Sequence, residues 1–253
     1  MAKIITFANQ KGGVGKSTTA INVAASLGVK GKKVLLVDVD PQGNASSSVG
    51  VNKKDVVFSS YDVLTGRATI EQATWHTEFQ NLDVVPATIS LAGAEPELAT
   101  LEGRNFRLRA ALAQVADKYD YIAIDCPPSI GVLTLNALAA SDGVVIPTQC
   151  EYFALEGLAQ LMLTVKNVQR ILNPDLKLYG IVITMYNNRL NLARQAKAEL
   201  YAHYGDLVCK TVIARNVRIS EAPGFGMPVY YFDKYSKGSI AYACLTEELI
   251  GRM

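Results

Sequence analysis

Short apolar runs alternate with longer segments of helical periodicity along most of the chain. The runs are nearly continuous in Val, Ile and Leu, which is typical of strands buried on both faces of a parallel sheet. The pattern predicts strands over residues 4–8, 34–39, 82–86, 121–125, 143–147 and 178–185, with a weaker one over 208–213. The clearest helices are predicted over residues 17–29, 106–118, 154–172, 192–204 and 239–251.

This order of elements predicts an α/β fold, a doubly wound and mainly parallel sheet with helices on both faces in a three-layer sandwich. No Pro-, Gly- or Ser-rich linker or low-complexity tract divides the 253 residues, so we expect a single domain over residues 1–253. Ligands of such folds bind at the carboxyl ends of the strands. The chemistry is therefore expected where the strands give way to loops.

Composition narrows the class of protein. With 49% hydrophobic and 19% charged residues, most of the chain is not intrinsically disordered. The start MAKIITFANQ lacks the pattern of a secretory signal, and no run of eighteen apolar residues occurs, so we expect a cytoplasmic protein. The four cysteines are far apart and form no CxxC pair, which argues against a structural zinc site or a disulfide framework.

The net charge of +2 conceals an uneven distribution. Residues 1–60 hold 8 Lys and Arg against 3 Asp and Glu, residues 61–161 hold 5 against 13, and residues 162–253 hold 12 against 7. A basic carboxyl-terminal third is compatible with a face that binds polyanions, but solvated helix faces give the same statistic. Charge alone therefore leaves both interpretations open.

The most specific chemical signal follows the first predicted strand, where the segment NQKGGVGKST leads directly into a helix. Its glycines allow backbone N–H groups to converge on an anion, and the helix N-terminus adds a partial positive charge. Lys16 supplies a full charge, and the Ser17 hydroxyl is suited to ligate Mg²⁺. The usual pattern GxxxxGK[ST] is not strictly met, because Gln10 replaces its first glycine. We interpret the segment as a phosphate-binding loop rather than a tight turn alone, with the nucleotide-binding candidates Lys11, Gly12, Gly13, Val14, Gly15, Lys16, Ser17 and Thr18.

Carboxylates end two of the predicted strands. Asp38 and Asp40 lie where the second strand ends, and Asp125 ends the run YIAID. A carboxylate at the end of an apolar strand is costly to bury unless it meets a metal ion or a cation, and the phosphate loop is the natural partner. We therefore predict that Ser17, Asp40 and Asp125 hold a metal ion, with capping of the next turn as the alternative for Asp40.

The segment KGGVGKS resembles the deviant Walker A motif of the ParA/MinD class of P-loop ATPases, in which a second lysine, here Lys11, precedes the glycines. The resemblance implies ATP and Mg²⁺ as cofactors, hydrolysis to ADP and phosphate, and a sandwich dimer in which Lys11 of one subunit reaches the phosphates bound by the other. It implies catalytic roles for Lys11, Lys16 and Asp40. The resemblance implies that Asp40 positions the attacking water and that Asp38 supports Mg²⁺ less directly. The run YIAID resembles the Walker B strand of the family. An ordinary solvated loop lysine is the alternative for Lys11.

Longer segments look like the ParA/Soj partitioning ATPases from residue 1 to about residue 228. These segments are VDVDPQGNASSSVGV, LDVVPATISLAGAE, YDYIAIDCPPSIGVLTLNALAASD, VVIPTQCEYFALEGL and TVIARNVRISEAP. The resemblance implies that Met185, Arg215 and Asn216 contact or adjoin the nucleotide base, although Ala214 replaces a usual proline. A helix N-cap and a solvated arginine are the alternative for Asn216 and Arg215.

The same resemblance implies a nonspecific DNA-binding face that contains Arg189 and Arg218 and that Lys234 and Lys237 extend. Phosphate contacts of this kind give affinity that is independent of sequence and sensitive to salt. The implied partners are double-stranded DNA and a ParB-type centromere-binding protein that stimulates hydrolysis, and the implied location is the nucleoid. We therefore expect an ATP-dependent enzyme of chromosome or plasmid segregation.

Three alternatives belong to other functional classes. A MinD-like membrane switch needs a basic amphipathic helix at the carboxyl terminus, whereas residues 239–253 carry Glu247 and Glu248 against a lone Arg252 and predict a core-packing helix. An iron–sulfur carrier of the same superfamily is disfavoured by the absence of CxxC. A filament-forming scaffold that binds ATP only to polymerise remains open.

Overall fold

The structure, a computed structural model, describes residues 1–151 and 154–253. Seven strands are present in these residues: β1 (Lys3–Phe7), β2 (Val34–Asp38), β3 (Trp75–His76), β4 (Leu82–Val85), β5 (Tyr121–Asp125), β6 (Gly143–Gln149) and β7 (Lys177–Thr184). The α-helices of the same residues are α1 (Lys16–Val29), α2 (Asn44–Ser47), α3 (Ser60–Thr65), α4 (Ile70–Ala73), α5 (Ala94–Ala99), α6 (Arg107–Ala113), α7 (Val132–Ala140), α8 (Ala154–Ile171), α9 (Asn191–Tyr204), α10 (Val217–Glu221), α11 (Val229–Phe232) and α12 (Lys237–Ile250).

The strands form one sheet in the order β3-β4-β2-β5-β1-β6-β7. Strand β3 is antiparallel to β4, and every other neighbouring pair is parallel. Strand β1 lies between β5 and β6, so the loop that follows it is flanked by the carboxyl ends of other strands. This is the place where open α/β sheets bind ligands.

Alternate residues of the strands enter two separate cores, one on each face of the sheet. On β2, Leu35 and Val37 pack with residues of α3 to α9, whereas Val34 and Leu36 pack with residues of α1, α11 and α12. All four side chains are fully buried. The predicted architecture, a mainly parallel sheet with helices on both faces, is confirmed.

Six of the predicted strands are present, with ends that differ by no more than two residues. The weaker prediction over residues 208–213 is wrong. Val208 forms only an isolated bridge to Ile181, and the Glu248 carboxylate accepts the N–H groups of Lys210 at 2.7 Å and Thr211 at 2.8 Å. Only the flanking N–H groups of Cys209 and Ile213 donate to β7, at the carbonyls of Ile181 (2.8 Å) and Ile183 (2.9 Å). Because a side chain takes the N–H groups between them, no continuous ladder forms.

The helices also differ from the prediction, and six short ones of four to six residues, α2 to α5, α10 and α11, are absent from the predicted set. The helix expected over residues 106–118 ends at Ala113, after which the N–H groups of Gln114 and Val115 donate to carbonyls three residues back. Such bonds tighten the last turn and close the helix. Helix α7 is absent from the predicted set because its sequence, VLTLNALAA, is apolar on nearly every side and shows no clear helical period.

Candidate nucleotide-binding site

The loop between β1 and α1 turns twice through the left-handed region, at Gly13 (φ 73°) and Gly15 (φ 83°). These angles explain two of its glycines, because other residues adopt them only with strain. Within the described parts of the chain, the N–H groups of Gly12, Gly13, Val14 and Gly15 donate to no protein acceptor. Helix α1 begins at the next residue, Lys16, and adds the partial positive charge of its N-terminus. The loop therefore presents unpaired donors to an anion.

The Lys16 ammonium lies inside the site, with the residue 6% exposed, and donates to the carbonyl of Lys11 at 3.1 Å. Burial lowers the pKa of Lys16, and the nearby carboxylates of Asp125 and Asp40 oppose this shift. A buried cation beside unpaired N–H groups is the environment that phosphate oxygens require.

Asp38 and Asp125 end neighbouring strands and are partners in the register of β2 and β5. Asp38 accepts hydrogen bonds from the N–H and the hydroxyl of Ser46, at 2.8 and 2.7 Å, and from the N–H of Asp40 at 3.1 Å. Burial raises the pKa of Asp38 to about 6. Burial and the charge of Asp38 also hold the pKa of Asp125 well above its usual range.

Neither of the buried carboxylate oxygens of Asp125 has a hydrogen-bond partner among the described residues. A bound cation would compensate the charge of this carboxylate. The hydroxyl of Ser17 lies near enough to oppose the pKa shift of Asp125. A hydroxyl and a carboxylate are oxygen donors suited to Mg²⁺, which takes its remaining ligands from phosphate and water.

Asp40 lies beside the loop and is 5% exposed. Its Oδ1 accepts the N–H of Gln42 at 2.9 Å, and its carbonyl accepts the N–H of Gly43 at 2.8 Å. Asp40 therefore caps the next turn, which was the alternative expected from its position in the sequence. Its second carboxylate oxygen accepts no hydrogen bond from the described residues and lies free for another role.

Lys11 forms an ion pair with Glu151 of the same chain, and its side chain is 45% exposed. Neither Lys11 nor the buried Val14 lines the cavity above the loop. The side chain of Val14 is thus turned away from this cavity, so only its backbone could contact a ligand there. The Lys11 ammonium is held at the surface.

Two adjoining cavities lie beside the phosphate loop, and we call them the loop cavity and the base cavity. The first, of about 400 Å³, lies over the loop and is bordered by Lys16, Ser17 and Asp40. The second, of about 540 Å³, is bordered by Arg215 and Asn216, and Gly15, Thr18 and Met185 line both. A larger cavity of about 580 Å³ lies between α3 and α6 and contains no part of the loop.

The second cavity contains all three residues predicted to lie at the base. Met185 adopts the left-handed conformation (φ 50°), which is uncommon for a residue other than glycine. Asn216 caps α10, since its side-chain oxygen accepts the N–H groups of Arg218 at 2.9 Å and Ile219 at 3.3 Å. Its amide nitrogen and the exposed Arg215 remain available at the cavity.

Arg189 and Arg218 differ in their surroundings. Arg189 is exposed in the turn between β7 and α9 and has no carboxylate partner among the described residues. Arg218 is exposed on α10 but forms ion pairs with Glu221 at 3.0 Å and Asp233 at 3.3 Å. The charge of Arg218 is therefore partly compensated within the chain.

The two predicted lysines flank the start of α12. The Lys234 ammonium lies over the rings of Tyr230 and Tyr235, 5.5 and 5.8 Å from their centroids. Lys237 is the first residue of α12 and is exposed. Both lysines thus lie at the surface, close in sequence to the carboxylate of Asp233 that pairs with Arg218.

Among the side chains of the site that were not predicted from the sequence, two stand beside predicted ones. Ser46 binds the Asp38 carboxylate from α2, and Tyr242 borders the base cavity from α12, where its hydroxyl lies 3.4 Å from that of Thr19. Tyr242 comes from the far end of the chain, and no local pattern points to it.

The AAA domain family AAA_31 matches residues 2–178, which include the phosphate loop and the strand-end carboxylates. The sheet order, the loop and this match define the chain as a P-loop ATPase.

Relatives of known name define the family more narrowly. The chain is 53% identical over 249 residues to the sporulation initiation inhibitor protein Soj of Bacillus subtilis, covering 98% of each protein. It is 50% identical over 252 residues to the chromosome partitioning protein ParA of Myxococcus xanthus, covering 100% of this chain and 89% of that one. The chain belongs to the Soj/ParA family of chromosome-partitioning ATPases.

A solved structure agrees with this assignment of the fold. The cobyrinic acid a,c-diamide synthase of Mycobacterium smegmatis, solved with bound ADP and magnesium, superposes with a TM-score of 0.86 at 38% identity and covers 99% of this chain and 94% of that one. The predicted fold class, family and ATPase activity are thereby confirmed. None of the helices that the structure describes has the length and apolar character needed to cross a membrane.

Proposed function

We propose that this partitioning ATPase forms an ATP-bound dimer that holds double-stranded DNA without sequence preference and releases it when a ParB-type partner stimulates hydrolysis. The observation that carries the proposal is the double role of one short segment. Arg215 and Asn216 border the base cavity, and Arg218, on the helix that Asn216 caps, is exposed and basic. A change at the nucleotide would therefore reach the helix that carries Arg218, at the surface that we propose contacts nucleoid DNA.

ATP with Mg²⁺ is the cofactor of this reaction. The loop N–H groups and Lys16 would hold the phosphates, and Ser17 and Asp125 would hold the metal, which supplies charge neutralisation at the phosphates when bound. The buried and unpaired carboxylate of Asp125 supports this assignment. Asp40, with one oxygen free at the cavity, is the residue we assign to orienting the attacking water.

Lys11 would act across the dimer, on the phosphates bound by the second subunit. Its exposure and its position outside the cavity of its own chain support this role. The ion pair with Glu151 would have to break before Lys11 reached those phosphates, and breaking an exposed pair costs little free energy.

The test is binding to an arbitrary double-stranded DNA at one fixed moderate salt concentration, with ATP, with ADP and without nucleotide. We expect tight binding with ATP alone, and Asp40→Ala should stay on DNA after the partner is added because it does not hydrolyse ATP. Equal binding in all three conditions, or in none, would contradict the proposal.

The rival assignments give different results in the same assay. A membrane switch is disfavoured because Tyr242, Leu245 and Leu249 of α12 are buried in the core and not free for a lipid surface. A filament-forming scaffold would retain ATP without turnover even when DNA and partner are both present.

A further inference from the structure

Two carbonyl groups of the phosphate loop are held by side chains from the sheet. The amide nitrogen Nε2 of Gln149, the last residue of β6, donates to the carbonyl of Gly13 at 2.9 Å. The hydroxyl of Thr184, the last residue of β7, lies 2.8 Å from the carbonyl of Val14 and 3.0 Å from that of Thr148. Both anchors therefore come from strand ends next to the loop.

The direction of these carbonyls determines the direction of the next N–H groups. In a trans peptide the C=O and the following N–H point to opposite sides. Holding the carbonyls of Gly13 and Val14 against the sheet therefore turns the N–H groups of Val14 and Gly15 away from it. These are two of the donors that find no protein acceptor among the described residues.

The loop needs such anchors because glycine fixes its own conformation poorly. Gly13 and Gly15, on either side of Val14, are both in the left-handed region. Each of these glycines loses more backbone freedom on ordering than another residue would. If the ligand itself had to order these peptides, the entropy lost in ordering them would reduce its affinity.

Gln149 also contacts a residue that lines the base cavity. Its Nε2 lies 2.9 Å from the sulfur of Met185, whose backbone is in the left-handed region. One side chain thus touches both the phosphate loop and a residue that borders the two cavities.

We infer that Gln149 and Thr184 are positioning residues for the nucleotide, which keep the Val14 and Gly15 N–H groups directed at the phosphates before ATP binds. The inference rests on the ATP site proposed above. Neither side chain contacts the nucleotide in this proposal. Both affect nucleotide binding indirectly, by holding the loop.

The test uses two pairs of variants in the full-length protein. Thr184→Val keeps the shape but removes the hydroxyl, and Thr184→Ser restores it. Gln149→Leu removes the amide, and Gln149→Glu places an acceptor opposite the Gly13 carbonyl. The readouts are the Kd for ATP and ADP, kcat and KM, and the melting temperature without nucleotide.

We expect Thr184→Val and Gln149→Leu to raise the Kd and the KM for ATP roughly threefold to tenfold each, with kcat nearly unchanged, as for loss of one neutral hydrogen bond that acts equally in ground and transition states. Gln149→Glu should bind more weakly than Gln149→Leu, and Thr184→Ser should recover the parent affinity.

The inference is overturned if Gln149→Leu and Gln149→Glu bind ATP within twofold of the parent. It is also overturned if Thr184→Val lowers only the melting temperature, since that would be a packing role. If Thr184→Val does not fold, the exposed contact of Gln149 still decides the question. A parent protein that does not bind ATP would instead refute the proposed function.

Discussion

The side-chain oxygen of Asn22, in α1, accepts a hydrogen bond from the N–H of Val229 at 2.8 Å. Asn22 is 6% exposed, and its amide nitrogen donates to the carbonyl of Thr18 at 2.7 Å. Helix α11 begins at Val229, so an N–H without a partner inside its own helix is satisfied by the helix of the phosphate loop. The nucleotide site and the segment before Lys234 are thereby joined by one side chain.

Replacing Asn22 should destabilise the protein. Asn22→Ala leaves the buried N–H of Val229 without an acceptor, so we expect the free energy of unfolding to fall by about 1–3 kcal/mol. Urea denaturation measures this change. Asn188→Ala, at an exposed asparagine, should stay within about 0.5 kcal/mol of the parent. Equal urea midpoints for Asn22→Ala and the parent would show that the hydrogen bond contributes nothing.

Loss of the buried lysine should abolish tight nucleotide binding. Lys16→Ala removes the only full positive charge that borders the loop cavity in the described residues. A hydrogen bond to a charged group contributes about 1.5–3 kcal/mol, so we expect ATP affinity to fall roughly tenfold to 150-fold. Calorimetric titration with ATP and Mg²⁺ measures it. Lys32→Ala, at an exposed lysine between α1 and β2, should bind as the parent does. An unchanged affinity in Lys16→Ala would exclude Lys16 from the site.

Local sequence predicted the parts of this protein that depend on neighbours in the chain. The strands, the phosphate loop and the strand-end carboxylates follow from apolar runs, from glycine spacing and from the position of Asp125 after YIAID. The sheet then brings Asp38 beside Asp125 through the register of two parallel strands.

The unpredicted hydrogen bonds join residues that are distant in sequence. Asn22 and Val229 are 207 positions apart, Gln149 and Gly13 are 136 apart, and no local period records such pairs. The wrong strand over residues 208–213 has the same cause. Its apolar residues suit a strand, but the N–H groups of Lys210 and Thr211, in its middle, are taken by Glu248 from the last helix.

Glu248 should make the protein sensitive to acid. Burial opposes its ionisation, but hydrogen bonds from Thr211, Lys210 and Arg252 outweigh burial and lower its pKa below the ordinary value of 4.5. A carboxyl with a lowered pKa in the folded state adds stability above the unfolded pKa, and this stability is lost as the pH falls through the folded value. The parent should therefore lose this contribution as the pH falls below the ordinary value of 4.5.

The measurement compares urea midpoints at pH 7 and pH 4. Glu248→Gln should be less stable than the parent at pH 7 and should lose less stability on going to pH 4. The matched control is Glu247→Gln, next along the helix, whose exposed pair with Lys30 is expected to contribute about 0–1 kcal/mol. A Glu248→Gln protein with the parent's pH dependence would exclude this carboxylate as a source of acid sensitivity.

The DNA-binding residues should differ in importance because their charges are compensated differently. Arg189 has no carboxylate partner in the described residues, whereas Arg218 is paired with Glu221 and Asp233. We therefore expect Arg189→Ala to weaken DNA binding more than Arg218→Ala, with ATP affinity unchanged. Neutralised phosphates release counterions, so the logarithm of affinity should also fall less steeply with the logarithm of salt concentration in the Arg189 variant, with a slope smaller by about one for each phosphate left unneutralised.

Charge reversal gives the stronger form of this prediction. Arg189→Glu in an ATP-bound dimer places two repulsive charges against DNA, and we expect affinity at fixed salt to fall by roughly tenfold or more. Arg109→Glu makes the same change of net charge at an exposed arginine on α6, outside the proposed DNA-binding residues. If both variants lose affinity equally, the effect is one of net charge and the face is not where we place it. If only Arg189→Glu loses affinity while ATP binding is kept, the turn after β7 contacts DNA.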